Sequence, residues 1–208
     1  VVLIVSAATI AITYFLGRQL FNEKIGLLGA IVLAVDPLFI FSSGYFRPEA
    51  WVAFFGSGAL YVLLRRKTRL HSVIAGLIIS LAAFFHPNGI FFLASFIALL
   101  WFCGRRRDIA PFMLGFMPLA IGYALYAGVG GGTFLEQAEW NYIQSGSTFH
   151  NIAEEWNRYS TFVLEHKGHI GISVLWLLGV AYAIKTRPAA AIPLLIICAI
   201  SLISFSLV

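Results

Sequence analysis

Three polar corners interrupt the apolar runs of this chain, and each holds residue types suited to gripping a charged or hydroxyl-rich ligand. Arg47-Pro48-Glu49 is the first. Proline suits the first position of a helix, so Glu49 falls in that helix's first turn, where the macrodipole favours an anion. Arg47 then lies just outside the helix, and its planar fork can hold a phosphate through paired hydrogen bonds better than a lysine can. Helix capping with a local ion pair explains the same residues, and both readings stay open. His86-Pro87-Asn88-Gly89 is the second corner. An imidazole and a carboxamide at a turn can take a phosphate or sugar hydroxyls, or they can satisfy the backbone that Pro87 interrupts. Asp36-Pro37 is the third. Pro37 frees a carbonyl within an apolar run, and Asp36 either lines a cavity there, stays protonated by burial, or caps the kink. Arg47, Glu49, His86, Asn88 and Asp36 are therefore the candidate binding residues, and no catalytic residue is identified among them.

Other constellations carry less. Glu165-His166-x-x-His169 sets two histidines three apart, but Gly168 weakens a helix there and no third ligand is placed, so no metal site is expected. Glu154-Glu155 reads as a solvated helix face. There is no Walker-type glycine loop, no G-x-S-x-G and no H-E-x-x-H, which argues against a nucleotide-driven cytosolic enzyme. Cys103 and Cys198 fall at a membrane edge and inside an apolar run, on opposite halves of the bilayer, so neither a disulfide nor a metal framework is expected. No cofactor is expected; a divalent ion stays open, although no acidic ligand cluster is visible.

The elements that carry these corners are apolar. Of 208 residues, 60% are hydrophobic and 11% charged, against about 25% charged in a soluble domain, and mean hydropathy is +0.89. That excludes a disordered chain, a fibre and an ordinary water-soluble globule. Runs such as IAGLIISLAAFF lack the alternation of a transmembrane barrel. Polar punctuation leaves eight apolar segments, about 1–17, 25–45, 49–64, 72–85, 89–104, 109–128, 170–184 and 189–208. The fold class is thus all-α, a polytopic transmembrane helix bundle with about eight spans of ~20 residues or fewer. Residues 1–128 carry spans with short loops, 129–169 an external amphipathic loop, and 170–208 two further spans. The chain opens and closes inside apolar runs, without convincing signal-peptide features, and reads as a fragment of a longer membrane protein.

Charge orients the bundle. The connections RQLFNEK, RRKTRLH, RRRD and KTRP fall on one side and hold 11 of the 14 basic residues. The other side holds only Arg47, Arg158 and Lys167. Lys/Arg-rich short loops stay in the cytoplasm, so the RPE and HPNG corners face outward. The net charge of +5 is then a topology signal, and no nucleic-acid partner is expected. Residues 72–104 are apolar except for His86-Pro87-Asn88. As one helix they would extend ~50 Å at 1.5 Å per residue, beyond a ~30 Å hydrocarbon core, and would put RRKTRLH and RRRD on opposite faces. Two short spans meeting at an external HPNG turn satisfy both constraints. The stretch 129–169 opens with VGGG, and Ile152, Trp156, Tyr159 and Val163 recur at helical spacing. Trp140, Tyr142, Trp156 and Tyr159 favour the bilayer interface, so one or two helices on the outer surface are expected.

Two stretches, GRQLFNEKIGLLGAIVLAVDPLFIFSSGYFRPEAWVAFFGSGALYVLLRR and AGLIISLAAFFHPNGIFF, resemble the prokaryotic dolichyl-phosphate-mannose–protein mannosyltransferase-like proteins, family 39-like within the GT-C superfamily. In that family a G-R-x-L-F element precedes a span, R-P-E opens the next, and an H-P-N-G or similar turn follows a G-L-x-x-x-L-A span. The resemblance covers about residues 17–104. It implies a GT-C-like, multi-pass integral membrane protein of a prokaryotic plasma membrane. The implied activity is that of an inverting hexosyltransferase. It moves a sugar from a polyprenyl-phosphate-linked donor to an acceptor hydroxyl on the outer face, borne by a protein, a glycolipid or a wall polymer. In the family an acidic residue on the first external loop deprotonates the acceptor. Nothing here matches it, and that general base is expected upstream of Val1. Two other classes fit a polytopic chain. A transporter or flippase is one, although the flanks of HPNG and DP do not match as inverted repeats. A non-catalytic assembly subunit is the other, in which Arg47, Glu49 and His86 would be replaceable.

Overall fold

The structure, a computed structural model, describes residues 1–44, 48–85, 89, 91–128 and 167–188, with positions 191, 195 and 198. Every regular element among the described residues is helical. Helix α1 spans Val2–Leu20, α2 Glu23–Val35, α3 Pro37–Gly44, α4 Pro48–Arg65, α5 Arg69–Phe85, α6 Phe91–Phe102, α7 Ile109–Gly128 and α8 Lys167–Thr186. A 3-10 turn, Arg106–Asp108, leads into α7.

Side chains set the ends of these helices. The Asn22 amide oxygen accepts from the Ile25 N–H at 2.9 Å and starts α2, satisfying one of the donors a helix leaves open at its first turn. Thr68 accepts from the His71 N–H at 3.4 Å at the start of α5. Gly104, at φ +71°, turns the chain after α6, a left-handed conformation that glycine adopts without strain. The apolar run 25–45 is two helices rather than one. Asp36 is extended between them, and its Oδ1 accepts from the Phe39 N–H at 3.2 Å. Pro37 opens α3, so the break that proline imposes is capped by the residue before it.

Helix α1 and the stretch Arg106–Leu125 are long and apolar enough to cross a membrane. Ala50–Arg65, Arg69–Phe85, Phe92–Phe102 and Leu177–Thr186 are apolar but shorter. By length and composition, two spans of the eight expected are thus present among the described residues.

Helices α4 to α7 share a core of Ala59, Leu63, Ala75, Ile79, Phe96, Leu99, Leu100, Phe112 and Phe116. The Phe96 and Phe112 rings stack at 5.8 Å. Helix α1 lies against both α2 and α4, so α1 and α2 form a hairpin beside that core. Both seams depend on glycine. A Cβ on Gly17 of α1 would come 2.6 Å from the Gly26 Cα of α2. A Cβ on Gly76 of α5 would overlap the Phe112 carbonyl, and one on Gly115 of α7 would overlap the Val73 carbonyl. Backbones this close give dispersion contact where lipid removes the hydrophobic drive between helices. Leu114, Leu125, Leu177 and Leu178 point outward and are well exposed, an apolar surface of the kind that marks a membrane or protein contact.

Candidate functional site

A short turn joins α4 to α5, so the start of α4 lies beside the end of α5. Trp51, in the first turn of α4, stacks on Phe85, the last residue of α5, with ring centroids 4.7 Å apart and planes 5° from parallel. Phe55, one turn further along α4, contacts both rings at 6.1 and 5.5 Å. Phe84 meets Tyr123 of α7 edge-on at 6.3 Å. Trp51 follows Glu49 by two positions and Phe85 immediately precedes His86. The stack therefore sets the start of α4 and the end of α5, the helix ends next to RPE and HPNG in sequence, side by side at one end of the bundle. Gly89 lies against the Ala82 backbone, so closely that a Cβ there would overlap it.

Helix α4 begins at Pro48, which puts Glu49 in its first turn, the position its sequence predicts. Asp36 caps α3, and α3 contacts α4. Arg47, His86 and Asn88 lie outside the described residues. So does the stretch 129–166, with its expected surface helices and Glu165-His166, while His169 falls within α8. Among the described residues, no three His, Cys, Asp or Glu side chains gather as metal ligands would. Cys103 and Cys198 are free thiols.

Sequence reasoning missed the aromatic clasp. Its signal was present, because an aromatic residue follows the first corner and precedes the second on the apolar side of each. The Trp51 indole N–H is buried and has no hydrogen-bond partner among the described residues. A buried donor left unmade costs about 1–3 kcal/mol, so the clasp is held by its rings and not by its polar atom.

The opposite end is built differently. The Arg105 Nε donates to Asp108 Oδ2 at 2.7 Å, Nη1 to the Leu63 carbonyl at 2.7 Å, and Nη2 to the Ser72 hydroxyl at 3.4 Å. The Arg105 and Asp108 side chains are only 11% and 15% exposed. This guanidinium ties the turn after α6 to the last turn of α4 and the first of α5. Phe15 of α1 lies 6.1 Å from Tyr61 of α4, and the Arg65 guanidinium sits over Tyr61 at 5.7 Å. RQLFNEK, RRKTRLH and RRRD thus share one end of the bundle, and the start of α4 and the end of α5 share the other. At the basic end, burial pushes the Cys103 thiol up from its ordinary range, against the opposing pull of Arg105 and Lys67.

Residues 1–127 match the family model for dolichyl-phosphate-mannose-protein mannosyltransferase. The chain belongs to that family. The match takes in the polar corners, the aromatic clasp and the Arg105 interlock, from α1 almost to the end of α7. Membership places the chain among integral-membrane glycosyltransferases of the GT-C type, in keeping with its helical architecture and its two long apolar helices. No curated protein and no solved structure matches the chain.

Proposed function

We propose that the chain serves an integral-membrane enzyme with about eight spans that transfers a hexose at the outer face of a prokaryotic plasma membrane. The donor is a polyprenyl-phosphate-linked sugar. The acceptor is a hydroxyl on a protein, a glycolipid or a wall polymer. Beside the family match, one observation carries this reading. The Trp51–Phe85 stack, at 4.7 Å, joins the start of α4 to the end of α5, the helix ends next to RPE and HPNG in sequence, away from three basic turns.

The chemistry is a displacement with inversion. The acceptor O–H gives its proton to a carboxylate base, and the acceptor oxygen bonds to the anomeric carbon. The bond from that carbon to the lipid-phosphate oxygen breaks, and the phosphate leaves with increased negative charge. Arg47, just before α4, supplies a fixed cation for that charge, and the N-terminal dipole of α4 acts in the same sense. Glu49, in the first turn of α4, is a further binding candidate. His86 and Asn88 offer hydrogen bonds to the phosphate or to sugar hydroxyls, and Asp36 supplies a carboxylate at the base of α3. No residue of this chain is assigned as the base.

In the full-length enzyme, Arg47→Ala and His86→Ala should each slow transfer from a polyprenyl-phosphate sugar by about 100-fold, the scale of losing one preorganised transition-state contact. Turnover unchanged in both variants would remove the two corners from the mechanism.

A further inference from the structure

We propose that the basic end of the bundle is a binding surface for the headgroups of anionic phospholipids. The surface comprises the turn between α4 and α5 and the turn between α6 and α7. Arg105 holds them side by side, through the Leu63 carbonyl at one and Asp108 at the other. That interlock also settles the local charge balance. Asp108 is the only acid in either turn, and it is already paired with Arg105. Arg65, Arg66 and Lys67 on one turn, and Arg106 and Arg107 on the other, are exposed. They form a cationic rim with no carboxylate of its own turns left to answer it.

A solvated charged face would explain a cationic rim by itself. It does not explain what lies directly against the rim. The Arg106 guanidinium lies 3.9 Å from the centroid of the Trp101 ring, and that tryptophan is 49% exposed. Phe102 and Leu70, beside the same two turns, are 67% and 64% exposed. Cations therefore sit on the edge of an open apolar wall. Inorganic phosphate matches only the upper half of this surface. A phospholipid matches both halves, its phosphodiester against the guanidiniums and its acyl chains along the rings. Basic residues next to apolar spans bind acidic headgroups in this manner, each strengthening binding by about five-fold near an anionic surface. The inference needs the chain to sit in a membrane and is independent of the sugar-transfer reading.

The test is a lipid titration of the purified full-length protein in detergent, read by thermal unfolding. Phosphatidylglycerol should raise the midpoint in a saturable way, and phosphatidylcholine and inorganic phosphate should not. The double variants R66Q/K67Q and R106Q/R107Q should each bind phosphatidylglycerol about 25-fold more weakly, while keeping the wild-type midpoint in phosphatidylcholine. Equal stabilisation by phosphatidylcholine or by inorganic phosphate would overturn the proposal, as would undiminished affinity in both variants. Should the variants fail to fold, the unaltered protein decides. Phosphatidylglycerol affinity that falls steeply with added salt supports the surface, and affinity indifferent to salt overturns it.

Discussion

The two ends of the bundle join the same pair of helices, α4 and α5, with opposite kinds of bond. At the basic end a single guanidinium makes directional contacts with a carboxylate, a helix-terminal carbonyl and a hydroxyl. At the far end, among the described residues, flat rings do the joining. Directional bonds fix geometry but occupy donors and acceptors. Stacking holds two helices together without occupying either. Among the described residues, the start of α4 and the end of α5 are thus joined through rings, and their opposite ends through a guanidinium.

Arg105→Ala should produce the largest change. It strips Asp108 of its partner and leaves the Leu63 carbonyl unanswered, at a cost of about 3 kcal/mol for a nearly buried pair. Arg105→Lys should recover only part of that, because one ammonium cannot span three acceptors in the guanidinium's fork. Thermal unfolding in detergent reads both. Sugar transfer per folded molecule should be unaltered, and a selective loss of turnover would mean that the two ends are not separable.

Trp51→Ala comes next. A half-buried indole stacked on one ring and touching another contributes about 2 kcal/mol, and its loss should also depress turnover by unseating the corners. Trp51→Phe keeps a stacked ring while trimming the indole to a single ring and removing a donor that has no partner among the described residues, so stability should fall by about 1 kcal/mol, less than in Trp51→Ala. If Phe proves as damaging as Ala in both readouts, the polar atom matters and the ring-only account of this end fails. The smallest effect is a rate. Burial raises the Cys103 thiol, so its alkylation by iodoacetamide should keep rising beyond pH 9, where an ordinary thiol of pKa about 8.5 is levelling off. A plateau at or below that pH would mean that the local cations outweigh burial at the basic end.

Much of the scaffold was legible in the residues. The segment 109–128 is helix α7 to the residue, Pro48 opens α4, and the apolar run 72–104 divides at HPNG into α5 and α6. Apolar length and proline positions encode these features locally. The spatial gathering of three basic turns also followed, since short loops force antiparallel neighbours. The role of Arg105 did not. It is one of three consecutive arginines, and nothing local marks which of them turns inward to Leu63, 42 positions away. The Trp51–Phe85 clasp was hidden for the same reason, because it depends on the register between two helices. At the candidate site, capping by Asp36 was one of the readings its proline neighbour allowed, and the position of Glu49 followed from Pro48. The places of Arg47, His86 and Asn88 lie outside the described residues.

Helix α6 has 12 residues, which at 1.5 Å each is about 18 Å of rod against hydrocarbon roughly 30 Å thick. A span of that length would leave hydrophobic mismatch with the lipid around it. Lipids relieve mismatch by dimpling inward, at a fraction of a kcal/mol per ångström. A rod of that length reaches only part of the way through such a layer, so α6 does not by itself carry the chain from one face to the other.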